Sequence, residues 1–219
     1  MAISAIQILP VQDPNAGSGF LVQRVIEEAT QTFLAGTPVM ITSADGGLTA
    51  WNGTNGVNVT VQTGSLIGAI CGISTEAASN LGSTGSGAPS PMQPFTGVGA
   101  VAGTFGSVPN QPSAKNIAHG APLNDGRCGF LPLTPTLVFS ATFGNAGNTA
   151  TPANTDVGKQ YGLTIDSNNK FWYVDKSKAT VGTNTCLTVV GLDPRDTPGA
   201  GTRVLFVFDP LRTQMFLSV

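Results

Sequence analysis

The chain has 219 residues, only 10% of them charged, with 28 Gly and 15 Pro. That length buries a core without disulfides or metals, and a net charge of -2 with no basic run argues against a nucleic-acid binder. There is no stretch of about 18 apolar residues to span a membrane as a helix. Gly, Pro, Thr and Val in place of long charged helix formers predict an all-β chain of short strands and turns.

Residues 1–19, "MAISAIQILPVQDPNAGSG", lack the basic and long apolar regions of a secretory signal and read as an extended N-terminal arm. Ile3, Ile6, Ile8 and Leu9 precede a Pro- and Gly-containing joint, so the arm is expected to dock on another surface, for example by adding to a sheet edge. Residues 20–81 form a first β half. Residues 20–25 read as a strand, and Val39 and Ile41 lead through Ala44-Asp45-Gly46-Gly47 into a return strand ending near Trp51. "VNVTVQ" and the apolar run "LIGAICGIS" supply two further strands.

Residues 82–128 are a long insertion rich in Gly, Pro and Ser. Residues 129–219 form a second β half sharing the core, with strands in "GFLPLTPTLVFSATFG", "TCLTVVGLD" and "TRVLFVFDP". Between them, residues 159–177 predict a hairpin turning at Asp166-Ser167-Asn168-Asn169. In it Phe171 and Tyr173 share one face, Trp172 and Val174 the other. Packing is the expected role of these aromatics. Each half also shows a hairpin, a Trp (Trp51, Trp172), a loop and an apolar strand in that order, which suggests duplication.

Signals for chemistry are weak. His119 is the single histidine, with neither a GxSxG elbow nor an HExxH helix. "GVGAVA" at residues 97–102 matches a loose dinucleotide fingerprint without a βαβ setting. Cys71, Cys128 and Cys186 are odd in number and without CxxC spacing, as expected of small core residues in a reducing compartment. The sequons at Asn52 and Asn58 read as chance matches. Asp166, Asp193 and Asp209 stand in turn settings that favour hydrogen bonds to their own backbone. Asp193, Arg195 and Asp196 are candidates for an intersubunit ion pair. The expectation is therefore a non-enzyme with no catalytic, cofactor or metal site, whose charge-poor surface is covered in an assembly.

The segments "AGTPVMITSADGGLTAWNG", "LIGAICGISTEAA", "KQYGLTIDSNNKFWYVDKS", "TVVGLDPRDTPG" and "RVLFVFDP" resemble the capsid decoration, or cement, proteins of tailed bacteriophages. The resemblance covers about half of the chain and leaves out the 82–128 insertion. It implies a β-barrel or tulip-like subunit, commonly a homotrimer, seated on the outer capsid surface over junctions of the major capsid protein after assembly in the host cytoplasm. The partners implied are the major capsid protein and further copies of the chain, with no nucleic acid and no membrane. Alternatives are a head-fibre, tail or baseplate component, or a β-sandwich carbohydrate-binding protein.

Overall fold

The computed structural model describes residues 2–12, 20, 22–26, 33–41, 47–53, 69–75, 127–168, 170–181, 183–197 and 199–211. Outside them lie His119, residues 97–102, the "VNVTVQ" segment, Asn58, the first turn at residues 42–46 and all of the 82–128 insertion except its last two residues. In chain order the strands are β1 Leu9–Gln12, β2 Gln23–Ile26, β3 Pro38–Ile41, β4 Leu48–Ala50, β5 Gly72–Ser74, β6 Arg127–Pro132, β7 Val138–Asn145, β8 Asn148–Thr149, β9 Gln160–Ile165, β10 Trp172–Asp175, β11 Leu187–Leu192 and β12 Arg203–Phe208. One 3-10 turn, Asn154–Asp156, accompanies them, so the described chain is all-β apart from that turn.

Strands β7, β10, β9, β11 and β12 pair in that order, and β12 pairs back onto β7 to close a barrel. The β7–β10 contact is parallel and short, Val174 with Phe143 and Asp175 with Gly144; the others are antiparallel. Closure removes the exposed edges of an open sheet. Period-two patterning fills the interior: along β12, Val204, Phe206 and Phe208 are buried while Arg203, Leu205 and Val207 are half-buried. Phe139 stacks on Phe206 at 5.8 Å and meets Phe208 edge-on at 5.4 Å.

The main core extends beyond the barrel to Ile8 of the arm and to Trp51, Ile70, Ile73, Leu131 and Leu133 of the first half. A second cluster, centred on Phe33, Val39, Leu48, Cys71, Cys128 and Phe130, belongs to the first half alone. Along β6, Cys128 and Phe130 enter the second cluster while Leu131 enters the main core, as alternation requires. The boundary expected between residues 128 and 129 therefore falls inside β6. Residues 129–132 pair with β2 and β5 and belong to the first half's sheet. All three cysteines are buried and none is in a disulfide, and burial pushes the thiols of Cys71 and Cys186 up to about 12.

The two halves are a structural repeat. Among the described residues the first half forms an open sheet ordered β2-β6-β5-β3-β4, and the barrel read from β7 runs β7-β12-β11-β9-β10. Matching β2 to β7, β3 to β9, β4 to β10, β5 to β11 and β6 to β12 reproduces the order, with every equivalent pairing antiparallel. Backbone hydrogen bonds repeat as well. The Gly36 N–H donates to Ser74 O and the Gly158 N–H to Val189 O, each at 2.8 Å. The Cys71 N–H donates to Val39 O and that of Cys186 to Tyr161 O; Leu133 returns to Cys71 O as Asp209 does to Cys186 O. Gly36 and Gly158 share the left-handed conformation, φ 80° and 83°. Phe130, opposite Gln23 and Ser74, corresponds to Phe206, opposite Phe139 and Val189.

Duplication thus holds, but the tryptophans are not its counterparts. Val39 is equivalent to Tyr161 and hence Ile41 to Leu163; Ile41 pairs with Leu48 and Leu163 with Val174, so Leu48 stands where Val174 does, and Trp51 lies beyond β4. The two indoles instead pack on one another, ring centroids 5.0 Å apart. They join the repeats rather than mark them.

Candidate functional site

The arm is seated on its own chain. The Ile3 N–H donates to Gly147 O at 3.0 Å, and Ala2 bridges Asn148. The Ala5 N–H donates to Asp166 Oδ2 and the Ile6 N–H to Thr142 Oγ1, both at 3.1 Å, while Asn168 Nδ2 donates to Ile3 O at 3.3 Å. Strand β1 then pairs with β7, Leu9 opposite Ser140. Ile3 and Ala5 form a small cluster with Tyr173, against which Phe171 packs. Trp172 and Val174 enter the main core on the other face of β10. Both faces of this aromatic strand are covered by protein, and no stacking platform for a sugar remains there.

Two glycines let the arm approach. A Cβ on Gly144 would lie 2.4 Å from Ile3 Cδ1 and 2.8 Å from Tyr173 Cδ2. A Cβ on Gly36, in the first repeat, would lie 2.1 Å from Gln7 Cγ and 3.1 Å from the Ile8 backbone. The arm therefore touches both repeats. Ile3 and Ile8, expected to carry attachment to a neighbour, are buried in this chain; Leu9 is half-buried in β1, and Ile6 is 43% exposed. An apolar arm finds the nearest complementary surface, and here that surface is the β7 edge and the β9–β10 turn of its own barrel.

The candidate ion-pair residues form an intrachain network. Asp193, buried, accepts from Ser140 Oγ at 2.5 Å, Arg195 Nε at 2.8 Å and Arg195 Nη2 at 2.6 Å. Arg203, which sequence reasoning missed, lies 3.7 Å from Asp193 and makes a two-pronged pair with Asp196. The Arg195 hydrogen bonds hold the Asp193 carboxyl well below the usual carboxylate range, against the effect of burial. Arg203 lowers that of Asp196 in the same way. The expected intersubunit pair is thus closed within one chain, because the turn after β11 folds Arg195 back and β12 brings Arg203 alongside.

Turn geometry explains the remaining carboxylates. Asp166, Asp193 and Asp209 each accept the backbone N–H two residues on, from Asn168, Arg195 and Leu211, as their settings predict. Asp175 gathers Ala146 N–H, Ser177 N–H and Oγ, and Thr164 Oγ1; burial alone would raise its pKa, but these donors outweigh it and lower it. Asp156 is likewise lowered, as hydrogen bonds from Tyr161 at 2.7 Å, Ala153 and Lys176 overcome burial. Burial, then the Asp156 contact, pushes the Tyr161 hydroxyl up. Among the described residues no group of three or more His, Cys, Asp and Glu side chains converges as a metal site. Comparisons with protein-family models, with curated proteins and with solved structures find no match to this chain.

Proposed function

We propose that this chain is a structural virion protein that decorates the outer surface of a tailed-phage head and stabilises it, acting as a homo-oligomer, most simply a trimer, on the major capsid protein. The observation that carries this reading is the surface: Ile6, Phe20, Val22, Ile165, Val181 and Leu211 stand open to solvent, from 39% at Phe20 to 69% at Val181. They do so on a chain in which only 10% of residues are charged. A free monomer keeps itself hydrated with charge, whereas a tile in a shell has its apolar positions covered. The structural use of Asp156, Asp175 and Asp193 supports a scaffold over a catalyst. The resemblance in the two hairpins and the closing strand supplies the particular kind of shell. The test is to add the purified chain to phage heads lacking it. Saturable co-sedimentation, with heads that withstand higher temperature once decorated, is the expected result. Failure to bind heads at any stoichiometry would overturn the proposal.

A further inference from the structure

We propose that residues 2–6 of the arm are a clasp across the seam at which the barrel closes, so that lifting the arm opens the barrel at β7–β10 before any other strand pair. The inference concerns the fold itself and is independent of the decoration reading. Among the described residues β7–β10 is the one parallel contact of the barrel. Its register runs through Val174 with Phe143 and Asp175 with Gly144, extended by the Lys176 N–H to Gly144 O at 2.8 Å. Parallel pairing is slightly the less stable per residue. By contrast, β10 is in register with β9 from Trp172 to Asp175, and β12 with β7 from Arg203 to Phe206. The register of β9 with β11 is as short, but backbone bonds from Cys186 to Tyr161 O, Val189 to Lys159 O and Gly158 to Val189 O lengthen it at both ends.

The arm crosses that seam residue by residue. On the β7–β8 side the Ile3 N–H donates to Gly147 O, Ala2 bridges Asn148, and the Ile6 N–H donates to Thr142 Oγ1. On the β9–β10 side Asn168 Nδ2 donates to Ile3 O, the Ala5 N–H donates to Asp166 Oδ2, and the Ile3 and Ala5 side chains pack on Tyr173. Ile3 is thus bonded to both sides through its own peptide groups. Its Cδ1 and the Tyr173 ring converge over Gly144, 2.4 and 2.8 Å from where a Cβ would stand. Under this cover a second layer spans the seam: the Gly147 N–H donates to the Tyr173 hydroxyl at 2.8 Å and the Ala146 N–H to Asp175 Oδ1 at 2.9 Å. Tyr173 is 1% exposed beneath Ile3 and Ala5, so lifting them admits water to the bonds that hold the seam. Residues 9–12 pair with β7 alone among the described residues, so the clasp can lift while this anchor holds. The coupling is reciprocal: what loosens the seam also loosens the clasp.

Hydrogen exchange of the full chain, read amide by amide by NMR, tests the clasp. In Ile3→Ala, and in Ala5→Pro, which lacks the donor to Asp166, the amides of Ala146, Gly147 and Lys176 should exchange about tenfold or more faster than in the parent, while those between β11 and β12 keep the parent rates. Ile3→Ala decides by itself where Ala5→Pro fails to fold. Conversely, Tyr173→Phe, which removes the hydroxyl across the seam and keeps the ring under Ile3, should speed exchange at Ile3, Ala5 and Ile6. Seam amides that keep the parent rate in Ile3→Ala would overturn the inference, as would arm amides indifferent to Tyr173→Phe. Equal acceleration in every barrel strand would also overturn it, because that is global destabilisation rather than opening at one seam. So would acceleration confined to residues 2–12, which would show an arm that leaves without loosening the barrel.

Discussion

At the scale of residues, the buried carboxylates are the most consequential polar groups of the fold. Asp193 ties β7, through Ser140, to Arg195 and Arg203. Removing one partner of a buried, hydrogen-bonded ion pair costs several kcal/mol, because the remaining groups cannot recover all their hydration. Arg195 is half exposed and rehydrates, so Asp193→Asn should cost about 3 kcal/mol, the low end of that range. The pH dependence follows from direction alone. Asp156, Asp175, Asp193 and Asp196 are all lowered from an ordinary value of 3.8. The unfolded chain therefore takes up protons first as the pH falls. Their contribution is fully present above about pH 5 and is lost as the pH falls below about 4 and through the folded values. Thermal melting followed from pH 7 to pH 2 should show a flat region and then a steep acid limb, shallower in Asp193→Asn. An identical acid limb in parent and variant would show that Asp193 is not paired as described.

At the scale of elements, the arm joins the two repeats alongside the shared core and the tryptophan pair, and the repeat itself provides the control. Gly36 and Gly158 occupy equivalent left-handed positions, but a Cβ on Gly158 meets nothing within 4 Å, while one on Gly36 meets Gln7 and Ile8 of the arm. Gly158→Ala should cost only the backbone term, about 1–2 kcal/mol. Gly36→Ala should cost a further 1–3 kcal/mol or so from overpacking, and Gln7→Ala should relieve part of that excess in a double-mutant cycle. Urea unfolding measures all of these; equal costs at the two glycines would mean that the arm does not lie where it is placed. The hairpins were legible in the sequence because alternation and turn residues are local signals, as in Leu163, Ile165, Asp166 and Trp172 to Val174. The seating of the arm was not, because Ala5 meets Asp166 and Ile3 meets Asn168, partners separated by more of the chain than any periodicity spans. Arg203 was missed for a different reason: it is seven residues from Asp196, and only the turn that lays β12 beside β11 brings the two together. The repeat was visible, though in different residues from the tryptophans. Arg127 with Phe130 and Arg203 with Phe206 share spacing and register on equivalent strands.

At the scale of the whole molecule, one unit of five strands occurs twice. Once it is closed into a barrel, and once, among the described residues, it is an open sheet covered on one face by that barrel's core. Such a body presents two kinds of surface: a barrel flank already dressed by the arm, and a first repeat with Phe20 and Val22 exposed just before β2. With so few charges to keep copies apart, the account expects both like and unlike neighbours to cover it. The measurement that tests this most directly is the position of the chain on purified phage heads, by electron cryomicroscopy with quantitative mass spectrometry of the same preparation. The account predicts many copies per head, arranged as symmetric oligomers on the outer face above contacts between major capsid subunits, with residues 2–12 seated on their own barrels. Absence of the chain from heads, or its confinement to a few copies at the tail, would contradict it.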